Sequence, residues 1–280
     1  MRRKQRRNKA NPPSFRCRRP ETAMPMKFFL LCLSMITMSS AIAQPAGVRF
    51  QSGEAQITLL ELYTSEGCSS CPPAEAWVSK LKHSPRLWKD FAPVVFHVDY
   101  WDYLGWRDPW SAKMFSERQR TYAGQWGSQS IYTPGFVLDG REWRNWSALK
   151  DGPPSSRKSV GVLTVSSTDT NHWVASFVPM KPASGSYTIH AALLASGLNS
   201  NVKAGENKGR RLDHDFVVLS LIQAELSLQG EIARGNFSLT RQASDISPQP
   251  AIVVWVTEGG RLEPIQATGG WLGLRTPVSN

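Results

Sequence analysis

Cys68-Ser69-Ser70-Cys71-Pro72-Pro73 is the stretch on which the fold of this chain turns. Ahead of it runs the apolar segment Ile57-Thr58-Leu59-Leu60-Glu61-Leu62-Tyr63, and behind it the helix-like segment Ala74-Glu75-Ala76-Trp77-Val78-Ser79-Lys80-Leu81. A strand that delivers two cysteines, three apart, to a helix start sets the first thiol near unpaired N–H groups and the positive end of the helix dipole. Both favour a thiolate, the species that attacks disulfides. The spacing predicts Cys68 as the exposed, acidic attacking thiolate and Cys71 as the resolving thiol within one turn. Pro72 and Pro73 stiffen that turn without needing N–H partners. An ordinary local disulfide is the alternative reading of the same pair.

Outward from this stretch, residues 1–43 read as an upstream segment and signal peptide. Met26-Lys27, the apolar run from Phe28 to Met38 and Ala41-Ile42-Ala43 make a positive region, a hydrophobic region and an A-x-A cleavage pattern, with Gln44 as the mature start. The apolar run is too short for a bilayer core of roughly 30 Å. The expectation is a periplasmic or secreted protein with no stable membrane span after cleavage. The chain holds 33 Lys/Arg and 22 Asp/Glu, net +11, but 10 of the bases and one acid lie in 1–43, so the remainder carries only +2. Basicity of a nucleic-acid-binding kind thus belongs to the leader, and no nucleic-acid partner is expected. Cys17 and Cys32 leave with the leader, and Cys68 and Cys71 remain. A single CxxC with no disulfide framework points to chemistry rather than scaffolding, and no second pair exists to complete a four-cysteine zinc site.

A loop-like stretch, Asp151-Gly152-Pro153-Pro154-Ser155-Ser156, separates residues 44–152 from 153–280. Before it the pattern is β–α–β–α–β–β: Ile57–Tyr63, Pro72–Leu81, Pro93–Tyr100, Ser111–Tyr122, and Gly135–Gly140 opened by Thr133-Pro134. Parallel crossovers of this kind imply a sheet covered by helices. After it the runs Val160–Ser166, His172–Val178, Ser186–Ala195, Phe216–Leu221, Gly235–Thr240 and Ala251–Thr257 read as half-buried strands, with Asn199 to Asp215 a loop or irregular hairpin connection.

The strand, the CxxC at a helix start, the βαβ crossover and Thr133-Pro134 resemble the thioredoxin-like superfamily. The resemblance implies that Pro134 is cis and faces the cysteines, with Thr133 preceding it and its backbone aligning an incoming chain as an added strand. A finer resemblance is to the secreted family DUF1223. It rests on Glu61 to Glu75, on His97-Val98-Asp99-Tyr100-Trp101-Asp102, on Tyr132-Thr133-Pro134 and on Gly205-Glu206-Asn207-Lys208-Gly209-Arg210-Arg211-Leu212. The fold expected is an α/β thioredoxin-like domain (βαβαββ) over 44–152, then a β-rich, sandwich-like region over 153–280. One departure stands out. Thioredoxins hold a buried acid six residues before the first cysteine; that position is Leu62, and Glu61, one off, points to the other face of its strand.

Other candidates surround this frame. Tyr100 to Trp110 is aromatic-rich at a strand end, where open α/β sheets bind ligands. Trp101, with Tyr132, reads either as a substrate groove or, with Trp106 and Trp110, as inter-domain packing. His97 reads as a hydrogen-bonded core residue, as a general-base pair with Asp99, or, with Cys68 and Cys71, as a copper or zinc ligand. Gly205-Glu206-Asn207 reads as a ligand loop or as a turn packed on the first domain. The function expected is an exported thiol–disulfide oxidoreductase acting on protein or small-molecule thiols and disulfides, with no cofactor beyond its own redox-active disulfide. Its rival is a non-catalytic periplasmic binding or assembly module whose CxxC is static or holds a metal.

Overall fold

The computed structural model describes residues 47–169, 171–181, 185–240 and 247–273. The leader read in 1–43, with Cys17 and Cys32, lies outside the described residues. In chain order the first half contains β1 (Arg49–Gln51), β2 (Thr58–Thr64), α1 (Pro72–Lys80), β3 (Phe91–His97), α2 (Lys113–Gln125), β4 (Gly135–Leu138) and β5 (Arg141–Glu142). The second half contains β6 (Gly161–Ser167), β7 (His172–Pro179), β8 (Tyr187–Ser196), β9 (Leu198–Asn201), β10 (Arg211–His214), β11 (Val217–Gln229), β12 (Ile232–Ser238), β13 (Gln249–Glu258) and β14 (Pro264–Trp271).

β2 and β3 are buried at every residue. That explains their unbroken apolar runs, because a strand covered on both faces has no reason to alternate. β2 pairs with β3 in parallel and with β4 antiparallel. Pro93 sits inside β3 without breaking the ladder. Val95 N donates to Phe216 O, so the nitrogen two residues earlier faces the same side, where β11 meets β3 only at Val95. α1 opens with two prolines, tolerated because first-turn N–H groups have no partner within the helix.

Twelve strands form one mixed sheet with β11 as its junction. Val217 of β11 pairs with Val95 of β3, Val217–Leu226 pair with β8, and Ser227–Gln229 pair with β12. One arm runs β3–β2–β4–β5, a second runs β12–β7–β6–β1, and β8 carries β13 and then β14. β13 shows how two interiors share a strand. Ala251, Val253 and Trp255 join the core built on β2, β3 and α1, whereas Ile252, Val254 and Val256 join the core of β6, β7 and β12. β9 and β10 make a separate two-stranded hairpin, consistent with an irregular hairpin over 199–215.

This arrangement overturns the expected fold class. The chain is not an α/β thioredoxin-like βαβαββ domain followed by a sandwich. It is mostly β, with two α-helices among the described residues and one mixed twelve-stranded sheet. The physical reason is the open edge of β3. Residues after 153 pair with that edge and lay β8 and β13 over the first core, so the helix-covered strands do not close as a layer of their own. No helix among the described residues is long and apolar enough to cross a membrane.

Candidate functional site

β2 ends at Thr64, and the chain turns through Ser65-Glu66-Gly67 before the cysteines. Cys68 N donates to Ser65 O at 3.2 Å and Cys71 N to Cys68 O at 3.3 Å. Because α1 begins at Pro72 with Cys71 as its N-cap, it is Cys71 that occupies the helix start, and Cys68 stands a turn ahead. Both cysteines are free and both are buried, 1% and 0% exposed, which corrects the expected exposure of Cys68. The β9–β10 connection is bonded to the cysteine loop. Asn207 Nδ2 donates to the carbonyls of Glu66 and Cys68 at 2.8 and 2.9 Å, and Glu206 accepts from Ser69 N and Oγ at 2.9 and 2.7 Å. Gly67 is required by close approach, since a Cβ there would lie 2.9 Å from Trp101 Cβ.

Cys68 Sγ lies 3.2 Å from Ser70 Oγ and 3.8 Å from the Thr133 carbonyl. Hydrogen bonding with Cys71 lowers the Cys68 thiol from 9.0 to about 6; burial opposes this, and the Ser70 and Thr133 side chains reinforce it. Cys71 moves the other way, pushed up by burial and then by its bond to Cys68 and that residue's charge. The Thr133–Pro134 peptide is cis, and Thr133 Oγ1 accepts from Trp101 Nε1 at 2.7 Å. Pro134 lines an open groove of about 420 Å³ with Tyr132, Phe136, Trp143, Arg144 and Trp146.

Beside the pair lies a set of buried ionisable groups. Glu75, one turn after Cys71 on α1, accepts from Thr64 Oγ1 at 2.6 Å and is hydrogen-bonded to His214 Nδ1. His214 Nε2 lies 3.0 Å from Glu66 Oε1, which also accepts from Ser200 Oγ, while Glu66 Oε2 accepts from Trp106 Nε1 at 2.6 Å. His97 Nδ1 lies 2.7 Å from Asp108 Oδ2, which accepts from Glu66 N at 2.9 Å. The rings of His97, His214 and Trp110 meet edge to face. Burial works against charge on His97, His214, Glu75 and Asp108, but pairing overrides it. Glu75 and Glu66 raise His214 to about 10, Asp108 and Glu75 raise His97, and the histidines hold Glu75 and Asp108 below the usual carboxylate range.

The structure thus brings together Cys68, Cys71, Thr133, Trp101 and the Gly205-Glu206-Asn207 turn, which packs on the cysteine loop. Tyr132 is exposed on the groove and donates to Glu142 at 2.6 Å. His97 pairs with Asp108, while Asp99 accepts from Ser116 Oγ. Glu61 is held away from the cysteines by Arg118, Tyr63 and Tyr122. Glu66, Glu75 and His214 escaped the sequence reading, and Asp108, which reads as a loop or cap carboxylate, is the partner of His97. For His214 a signal was present: in β10 Leu212 and His214 are buried while Arg211 and Asp213 are exposed, the alternation of a strand with one covered face.

A family model described as a protein of unknown function, DUF1223, matches residues 59–257. Among solved structures, protein AGR_C_4864 from Agrobacterium tumefaciens is similar with a TM-score of 0.55 at 22% identity, over 82% of this chain and all of that one. HBP35 of Porphyromonas gingivalis is similar with a TM-score of 0.52 at 12% identity, over 82% of this chain and 79% of that one. No curated protein matches the chain. At these identities the two structures speak to fold alone.

Proposed function

The chain belongs to the DUF1223 family of proteins of unknown function, and from that premise we propose that it is an exported thiol–disulfide oxidoreductase working through Cys68 and Cys71. One observation carries the reading: the two thiols are driven apart, Cys68 down to about 6 and Cys71 upward, by their bond to each other, by burial and by Ser70 and Thr133. A static disulfide needs no such asymmetry, whereas an attacking and a resolving thiol do.

In the proposed step the Cys68 thiolate attacks one sulfur of a substrate disulfide. A Cys68–substrate S–S bond forms, the substrate S–S bond breaks, and the second substrate sulfur leaves as thiolate. Cys71 then attacks Cys68 Sγ, its proton passing to the substrate sulfur that leaves. The enzyme disulfide forms, the first substrate sulfur leaves, and two electrons have passed to the substrate. Run backwards, the same step oxidises a dithiol. Substrate chains would lie in the groove of Tyr132, Pro134 and Trp143, beside Thr133. Protein or small-molecule thiols are therefore the partners in this reading, and the redox-active pair itself carries the electrons.

The test is a pair of single variants given a disulfide-bonded peptide. Cys71→Ser is expected to trap a mixed disulfide through Cys68, and Cys68→Ser to trap none. Alkylation of the reduced parent should label Cys68 with a midpoint near pH 6, where its thiol ionises. Equal trapping by both variants, or a midpoint near 9, overturns the assignment.

A further inference from the structure

Glu75, His97 and His214 come from three different elements, α1, β3 and β10, yet one ligand atom from each lies within 4.8 Å of the others, and all three residues are buried. Thiol–disulfide exchange asks nothing of them directly. We propose that they bind a single divalent first-row transition metal ion of the zinc class.

The donor set comes first. Two imidazoles and a carboxylate suit zinc and its first-row neighbours, and no thiolate is needed. The orientation of the donors is the stronger argument. A metal-ligating histidine gives its other ring N–H to a carboxylate, which fixes the ring and its tautomer. His97 does this through Nδ1 to Asp108, and its Nε2 is buried with no hydrogen-bond partner among the described residues. His214 does it through Nε2 to Glu66, leaving Nδ1 turned to Glu75. Glu75 is itself oriented by Thr64 Oγ1 at 2.6 Å. Each of the three donors therefore has an outer partner, and one donor atom, His97 Nε2, is otherwise unexplained. Leaving a buried nitrogen unpaired is unfavourable, and an ion at this position would satisfy it.

Charge and access agree. Three carboxylates face two imidazoles, so negative charge stays in excess even with both rings protonated. A groove of about 500 Å³ lined by Pro72, Glu75, Ser79, Arg211, Leu212 and His214 brings solvent to the seam between α1 and β10. An ion there would staple β10, and with it the Glu206-Asn207 turn, to the helix that Cys71 precedes. The cysteines are outside this donor group, so the set Cys68, Cys71 and His97 is not the one assembled here.

The probe is Co²⁺, with Zn²⁺ in competition, added to the reduced parent, to Cys68→Ser/Cys71→Ser and to His97→Gln. One Co²⁺ per chain is expected in the parent and in the double serine variant, with visible bands and no thiolate charge-transfer band. His97→Gln should lose binding while keeping the parent circular dichroism. Asp108→Asn should bind about 10–100-fold more weakly, the usual cost of an outer-shell partner. Absence of binding by the folded double serine variant, or full binding by His97→Gln, would overturn the site. Because the double serine variant has no redox chemistry, failure here and failure of the oxidoreductase reading are separable.

Discussion

Two buried polar regions lie under the same sheet, and their difference separates a strut from a site. Under α2, Glu61 receives Arg118 through two bonds of 2.8 and 3.0 Å and the hydroxyls of Tyr63 and Tyr122 at 2.8 and 2.6 Å. Phe96, Tyr122 and Trp255 sandwich the guanidinium. Both carboxylate oxygens are engaged and the charges cancel. Beside the cysteines, Glu66, Glu75, His97, Asp108 and His214 are just as buried, but charges are unequal and His97 Nε2 is unpaired. Burial of charge is common to both regions; an unpaired atom on one of the ionisable groups themselves belongs to one. A closed pair fixes geometry, whereas an open donor set invites a proton, an ion or a substrate.

The largest expected effect comes from opening the closed pair. Arg118→Met leaves the Glu61 carboxylate buried without its cation and should cost about 3–5 kcal/mol in urea unfolding. Glu61→Gln/Arg118→Met, which removes both charges, should recover most of that loss, since buried pairs break roughly even against neutral replacements. If the double variant is as unstable as the single, the region is more than a strut and the contrast with the cysteine side weakens.

How far each region was legible in the sequence follows from distance along the chain. β2, α1 and β3 announced themselves through local runs, and the CxxC through its spacing. The joining of the two halves did not, because Val95 finds Val217 more than a hundred residues later and no local period encodes that. β14 was missed because Gly269-Gly270 breaks its apolar pattern. The glycine is needed there, since a Cβ at Gly269 would lie 2.3 Å from Ile252 O. The polar site was hidden for the same long-range reason. Glu75 looks like an ordinary helix-surface acid until β10 arrives with His214, and His97 suggested Asp99, two residues on, when Asp108 was its partner.

A second prediction uses a third histidine as a gauge. His190 on β8 is buried, with no carboxylate among its bonded partners; it lies stacked on Trp255 at 5.2 Å with Nε2 3.0 Å from Thr257 Oγ1. Burial, aided by the Arg118 charge, lowers it from 6.5 to about 3. Below pH 6.5 the unfolded chain therefore takes up a proton that the folded chain refuses, so stability falls as pH falls, until the folded imidazole also titrates near 3. Between pH 6.5 and 5 this single group should cost about 2 kcal/mol. The measurement is the difference in urea stability between the parent and His190→Leu across that range. Parallel pH curves would mean that the folded imidazole takes up the proton as readily as the unfolded one.

The smallest expected effect is His190→Leu at neutral pH, and it tests the comparison at its base. The imidazole is neutral there, so the substitution removes one hydrogen bond to Thr257 and a ring face on Trp255, and strands no charge. His190 Nδ1 already lacks a partner among the described residues, and leucine relieves that. A net hydrogen bond is worth about 1 kcal/mol, and the loss should stay near that value. A loss of 3 kcal/mol or more at pH 7.5 would place a charge on His190 and an acid beside it. Buried histidines in this fold would then all be paired, and the open set beside Cys71 would no longer stand apart from its surroundings.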